Sequence, residues 1–133
     1  MMSSKVILLA EDNPDDAFIF DLMLKRAALT HTLHTVADGQ QAIEWLSGSG
    51  QSAHRQTSEL PSVLVLDLKM PIKTGFEVLE WVRAQPGLRD LPIVVLSSSD
   101  ESADVKRAYD LGANFYFVKS PQLQDVIQYL RQI

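Results

Sequence analysis

The sequence has no cysteine, which excludes disulfides, thiol nucleophiles and Cys-ligated zinc or iron-sulfur sites and fits a reducing compartment, with the cytoplasm as the simplest address. It also lacks a long apolar run. The longest stretches, such as Val6 to Ala10 and Ile93 to Leu96, are far too short to cross a bilayer, and the polar start Met1-Met2-Ser3-Ser4 resembles no signal peptide. The chain is therefore expected neither to span nor to cross a membrane. Positive charge is scarce as well: 12 Lys and Arg face 17 Asp and Glu, the formal net charge is -5, and no basic cluster stands out. That balance argues against a protein whose main business is gripping nucleic acid. No internal repeat is visible.

What is there is an ordinary globular composition, with 133 residues of which 46% are hydrophobic, enough for one domain with its own core. Short runs of Val, Ile and Leu alternate with segments of helical period. Strands are predicted at Lys5 to Ala10, Leu33 to Val36, Val63 to Leu66, Ile93 to Leu96 and Phe115 to Val118, four of them reading as buried on both faces. Asn13 is placed to cap a first helix that starts at Pro14, carries Asp15 and Asp16 in its first turn where the macrodipole favours anions, and runs to about Ala28. A second helix follows Gly39, around Gln40 to Leu46. Thr74 caps a third, with Phe76, Leu79 and Val82 on one face, before Pro86-Gly87 stops it. A fourth runs from near Asp100 to Gly112. The fifth opens at Ser120-Pro121 and sets Leu123, Val126, Ile127 and Leu130 on one stripe. Strict alternation of strand and helix implies crossovers and a parallel sheet covered on both sides, an open doubly wound α/β fold. The irregular stretch from Ser47 to Pro61 is longer than ordinary connections and reads as a surface loop. The sequence is read as one domain over 1–133, with 5–133 as ordered core and no output domain.

In such a sheet, ligands bind beyond the carboxyl ends of the strands, near the point where strand order reverses. Glu11 and Asp12 follow the first strand, Asp67 the third, Ser97 the fourth and Lys119 the fifth. One charged residue after a strand is usually a solvated loop, but agreement at four strand ends is a different matter. If the first and third strands are neighbours, three carboxylates converge and repel unless a cation neutralises them, and an all-oxygen site suits Mg²⁺. A carboxylate beside that ion can attack activated phosphorus. Asp67, fixed at the end of the apolar run Val63-Leu64-Val65-Leu66, is the expected nucleophile. Asp12 is expected to bind the metal directly, and Glu11 directly or through water. Lys119 offers a positive charge to a phosphoryl oxygen, and the Ser97 hydroxyl a hydrogen bond.

These residues carry a resemblance along essentially the whole chain. Leu8-Leu9-Ala10-Glu11-Asp12-Asn13, Leu66-Asp67-Leu68-Lys69-Met70-Pro71 with Gly75, Val95-Leu96-Ser97-Ser98, Gly112-Ala113-Asn114 and Phe117-Val118-Lys119 together resemble a response-regulator receiver domain. Asn13-Pro14-Asp15-Asp16 and the long segment after the second helix resemble the stand-alone regulators that partner bacterial phytochrome-type histidine kinases. The resemblance implies a flavodoxin-like (βα)5 fold with strand order 2-1-3-4-5, phosphorylation of Asp67, an acidic pair at Glu11 and Asp12, and a Lys69 backbone carbonyl completing the metal site. It makes Ser97 and Tyr116 a switch pair, the hydroxyl moving to the phosphoryl group as the ring turns inward. It also implies a sensor histidine kinase or a histidine phosphotransfer protein as donor, and a symmetric dimer through helix four, strand five and helix five. Two positions depart from the pattern: Ser120 stands between Lys119 and Pro121, where the family's lysine is often followed directly by a cis proline, and the hydroxyl is Ser97 rather than the commoner Thr, which leaves its rotamer less restricted.

Blander readings apply elsewhere. His31, His34 and His54 read as surface residues rather than a phosphohistidine or metal site. Phe115 and Phe117 read as core, and Trp45 and Trp81 as helix packing. Lys69, two residues after the nucleophile, either pairs with Glu11 or obstructs an attacking water and so tunes phosphoryl lifetime, or is simply solvated. A flavin or nucleotide module would need a Gly-, Ser- or Thr-rich cradle where Glu11-Asp12-Asn13-Pro14-Asp15-Asp16 would repel phosphate. An aspartate-based phosphohydrolase would place a second acid where Lys69 stands. A receiver-like scaffold that signals by protein binding without taking phosphate remains the alternative.

Overall fold

The aliphatic runs pair as five parallel strands in the order β2-β1-β3-β4-β5 in the computed structural model, which describes residues 5–48, 60–119 and 121–133. The strands are β1 Val6–Ala10, β2 Thr32–Val36, β3 Val63–Leu66, β4 Ile93–Ser97 and β5 Phe115–Val118. Between and after them run α1 Pro14–Arg26, α2 Gly39–Ser47, α3 Gly75–Ala84, α4 Ser102–Asp110 and α5 Leu123–Arg131, with a 3-10 turn at Pro86–Leu88. The expected flavodoxin-like fold and strand order are present.

Because side chains alternate along a strand, odd and even residues of the central strands feed separate cores. Leu8, Ala10, Leu64, Leu66, Ile93 and Val95 pack with Trp45, Leu46, Val78, Leu79 and Val82 under α2, α3 and α4. Ile7, Leu9, Val63, Val65, Val94 and Leu96 pack with Phe20, Leu24, Val126, Ile127 and Leu130 under α1 and α5. The chain leaves β1 in one direction to make β2 and returns past it to make β3, so the order reverses beside β1, where Ala10 pairs with Leu66. That register brings the two carboxyl-terminal ends together.

Several boundaries differ from expectation for local reasons. Helix α1 stops at Arg26 rather than Ala28 because Ala28 turns left-handed at φ 58. Ala28 N–H bonds Lys25 C=O at 3.0 Å and Leu29 N–H bonds Leu24 C=O at 3.1 Å, the Schellman pattern that usually recruits glycine. Helix α4 begins at Ser102 because the Ser99 hydroxyl, 2.6 Å from Asp104 Oδ2, also accepts the Glu101 N–H at 3.3 Å and holds 99–101 in a turn. Helix α5 begins at Leu123, since Gln122 folds back so that its Oε1 accepts the Val118 N–H at 2.7 Å. Three strands, β1, β3 and β4, are buried, and not the expected four, because β2 and β5 are the edge strands and are partly exposed. Phe115 is 43% exposed and is no core residue, lying instead against Tyr129 and Phe117 at 4.9 and 6.1 Å between ring centroids. Phe117 and Trp81 are half-buried and Trp45 is buried, all packing against one core or the other. His34 is exposed and His31 half-buried, while His54, Ser120 and most of the 47–61 stretch lie outside the described residues.

One arginine ties the lower end of the sheet together. Arg83 donates to the carbonyls of Gly112, Leu88, Arg89 and Leu91 and to Asn114 Oδ1, at 2.8–3.2 Å. Gly112 sits at φ 111, and a Cβ there would lie 2.7 Å from the Arg83 stem, so both its backbone angle and its neighbour call for glycine.

An L-residue in the left-handed region is strained by about 1–2 kcal/mol, part of which glycine returns as chain entropy. Ala28→Gly is therefore expected to stabilise the fold by about 0.5–1 kcal/mol, measured as a rise in the urea midpoint with an unchanged slope. A lower midpoint would contradict the left-handed cap.

Candidate phosphoacceptor site

The site is assembled by strand ends. Asp67 N–H bonds Ala10 C=O and Glu11 N–H bonds Val36 C=O, each at 3.0 Å, which continues the ladder one step past the strands and fixes both acids by backbone. Lys119 N–H bonds Ser97 C=O at 2.8 Å in the same way. The sheet, not a loop, thus sets where these side chains start.

The loop after Asp67 is held close. Gly75 N–H bonds Leu68 C=O at 2.9 Å, and a Cβ at Gly75 would clash with Asp67 O and lie 2.7 Å from Leu68 Cα, so contact with the backbone of Asp67 requires glycine at this position. Between them Lys73 N–H bonds Pro71 C=O at 2.7 Å across Ile72, which has φ 69 and is 74% exposed. This is a γ-turn of the strained sense, with a β-branched residue at its centre.

Glu11, Asp12, Asp67 and Lys119 come together beyond the strand ends. Lys119 Nζ lies 2.7 Å from Glu11 Oε1 and 3.1 Å from Asp67 Oδ2. Glu11, Asp12 and Asp67 each offer an oxygen within 4.8 Å of the others. Glu11 and Asp67 are buried, and Asp12 is exposed at the mouth. Burial pushes the Glu11 carboxyl up to about 7, against the opposing pull of Lys119 and of the Asn13 N–H on Oε2. Burial acts to lower the Lys119 pKa, but the contacts with Glu11 and Asp16 and the charge of Asp67 outweigh it and hold the ammonium above its ordinary value. An oxygen-only cluster with excess negative charge and one carboxylate open to solvent is the donor set a hard, hydrated divalent cation prefers. Glu11, Asp12 and Asp67 therefore fit Mg²⁺.

Ser97 is fully buried at the end of β4, its Oγ accepting the Ser99 N–H at 3.2 Å. Tyr116 is buried with its ring already inside, its hydroxyl donating to Ser99 C=O at 2.8 Å. Burial raises the pKa of that hydroxyl, which keeps it a donor. Lys69 is placed differently from one expectation. Its side chain is exposed and takes part in no ion pair among the described residues, Glu11 being held by Lys119 instead, and only its N–H approaches Asp67 Oδ1, at 3.4 Å.

Sequence reasoning missed two neighbours. Asp16, assigned only to the helix dipole, places Oδ2 2.9 Å from Lys119 Nζ; its position one turn into α1, facing the strand ends, is the signal that was there. Tyr109 of α4 accepts the Tyr116 N–H through its hydroxyl at 3.1 Å, a contact with no local sequence signature.

With this geometry in place, the comparisons are specific. Residues 7–131 match the family described as "Response regulator receiver domain". Response regulator Rcp1 of Synechocystis sp. (strain ATCC 27184 / PCC 6803 / Kazusa) is 36% identical, covering 97% of this chain and 86% of its own. Its Mn(2+)-bound form superposes with a TM-score of 0.82 at 35% identity, over 97% of this chain and 91% of that one. The phosphorylated cyanobacterial phytochrome response regulator RcpA gives a TM-score of 0.84 at 35% identity, covering 98% of this chain and 91% of that one. The bacteriophytochrome response regulator RtBRR gives 0.86 at 37%, covering 97% and 77%. The chain belongs to the response-regulator receiver family of two-component systems, and its relatives include phytochrome-associated regulators.

Removing the solvent-facing carboxylate with Asp12→Asn is expected to weaken Mg²⁺ or Mn²⁺ binding by about tenfold or more, read by isothermal titration, with little change in melting temperature because Asp12 is exposed. Unchanged affinity would remove Asp12 from the metal site.

Proposed function

We propose that this chain is a single-domain response regulator of a phosphorelay, in which Asp67 accepts a phosphoryl group from a phosphohistidine and a protein-binding surface is switched as a result. The observation that carries this reading is the Lys119 ammonium, 3.1 Å from Asp67 Oδ2, opposite the acidic cluster of Glu11, Asp12 and Asp67. An Asp67 oxygen forms a bond to phosphorus as the phosphorus–nitrogen bond to the donor imidazole breaks; the nitrogen keeps that electron pair, and the ring, protonated on its other nitrogen, leaves as neutral imidazole. Lys119 offers an N–H to a phosphoryl oxygen, and Ser97, whose own hydroxyl hydrogen is not engaged in the Ser99 contact, offers another. Mg²⁺, held by Asp12 and Asp67, by Glu11 directly or through water, and by the Lys69 carbonyl, would neutralise charge on the phosphoryl oxygens. Hydrolysis by water later regenerates the carboxylate. Beyond this self-catalysed gain and loss the protein performs no turnover.

The output is made by binding. New charge at Asp67 draws on Ser97, whose neighbour Ser99 holds the Tyr116 hydroxyl, so phosphorylation biases the face of α4, β5 and α5 between two arrangements. The exposed aromatics Tyr109 and Phe115 lie on that face, which suits a protein contact such as the symmetric dimer. The phytochrome-associated relatives favour a phytochrome-type sensor kinase, or a histidine phosphotransfer protein, as donor in the cytoplasm. The net charge of -5 and the absence of a long apolar helix among the described residues fit partners that are neither nucleic acid nor membrane.

Incubation with acetyl phosphate and Mg²⁺ is expected to add one hydroxylamine-labile phosphoryl group, seen by intact mass, to the wild type and none to Asp67→Asn. A wild type that stays unmodified, while still binding a kinase, would instead support a scaffold that signals without phosphate.

A further inference from the structure

Asp16 is the acid at the site that neither the metal cluster nor the phosphoacceptor chemistry accounts for. It is the third residue of α1, where an acidic side chain ordinarily turns back to accept the N–H of the capping residue. Here that N–H, from Asn13, goes to Glu11 Oε2 at 3.0 Å. Asp16 is left free to reach away from its own helix to Lys119. An ammonium has three N–H donors, and three carboxylates surround this one: Glu11 at 2.7 Å, Asp16 at 2.9 Å and Asp67 at 3.1 Å. Asp16 does not belong to the oxygen cluster of Glu11, Asp12 and Asp67, so its role is toward Lys119 and not toward a cation.

We propose that Asp16 is a positioning residue that anchors the Lys119 ammonium while the N–H shared with Asp67 passes to the phosphoryl group. The inference rests on Asp67 being the phosphoacceptor. When the oxygen–phosphorus bond forms, the Asp67 carboxylate becomes an acyl phosphate and its negative charge moves out to the phosphoryl oxygens. Of the three acceptors around Nζ, Asp67 is the one whose attraction falls, so its N–H is the one handed over. Glu11 and Asp16 keep theirs. A flexible four-carbon stem held by Glu11 alone would let the ammonium pivot about one contact. A second contact from a different element, α1 beside β1, fixes it along a line and presents the third N–H in one direction.

The test pairs Asp16→Ala with Asp16→Asn and measures three quantities on the full chain: the rate of phosphorylation by acetyl phosphate at saturating Mg²⁺, Mg²⁺ affinity, and the ¹⁵Nζ resonance of Lys119. Asp16→Ala is expected to be phosphorylated about fivefold more slowly with Mg²⁺ affinity within about twofold of wild type, and to move or broaden the Lys119 signal. Asp16→Asn, which keeps an acceptor oxygen without the charge, is expected to fall between the two and carries the comparison if the alanine variant does not fold. A wild-type rate for Asp16→Ala overturns the proposal, as does a faster one, which would make the charge merely a repellent for the donor. Parallel losses of rate and Mg²⁺ affinity also overturn it, because Asp16 would then act through the cation. A wild type that takes up no phosphoryl group brings down the phosphoacceptor reading and the anchor together; a phosphorylated wild type matched by Asp16→Ala brings down only the anchor.

Discussion

The arrangement everything else serves is a single lysine ammonium set among carboxylates at the reversal point of a parallel sheet. Two of its acidic partners, Glu11 and Asp67, are nearly excluded from water, and unpaired they would be costly; breaking such a pair typically costs about 3–5 kcal/mol. The sheet makes the arrangement unavoidable. Ala10 and Leu66 are register partners, so the residues that follow them emerge side by side, and Ser97 pairs with Val118, so Lys119 leaves the far edge at a matching height. Charge repulsion among the acids is therefore built in by topology, and the lysine offsets only part of it. The remainder is what makes the site receptive to a divalent cation, and the same geometry leaves a carboxylate oxygen poised beside a cationic donor.

Much of this was legible in the chain because the informative signals were local and repeated. Five short apolar-rich runs alternating with helical segments are enough to define a doubly wound sheet, and the charged residues that follow β1, β3 and β5 are the ones that converge. What was not legible depended on contacts between distant segments. Phe115 reads as core from alternating strand faces, but its ring meets Tyr129 and Phe117 and stays partly exposed, a packing that depends on where α5 lies against β5. Asp16 reads as a dipole partner because its sequence neighbours are a cap and a proline; that Glu11 already serves Asn13 is a fact of three dimensions. Ala28 shows no glycine to mark the end of α1, so the left-handed cap was invisible. For Lys69 the sequence left pairing with Glu11, obstruction of a water and plain solvation open; the residue is exposed, and Lys119 holds Glu11.

Two arginines tie neighbouring elements around this sheet, one of them at the end away from Asp67. Arg83 gathers carbonyls from the turn after α3 and from the α4–β5 connection, holding the entrance to β4 and β5 together. Arg107 lies over the Phe76 ring at 4.1 Å and links α4 to α3.

The open margin of β5 carries a further consequence. Its outward N–H groups at Tyr116 and Val118 are already taken by side chains, the Tyr109 hydroxyl from above and the Gln122 amide oxygen from below. A foreign β-segment approaching this border would find those two donors spent, so the sheet cannot be lengthened there without first dislodging both side chains. Any companion that recognises this side of the protein must do so through shape and ring contacts instead of backbone annealing, and α4 is the element whose shift would unlatch the border at Tyr116.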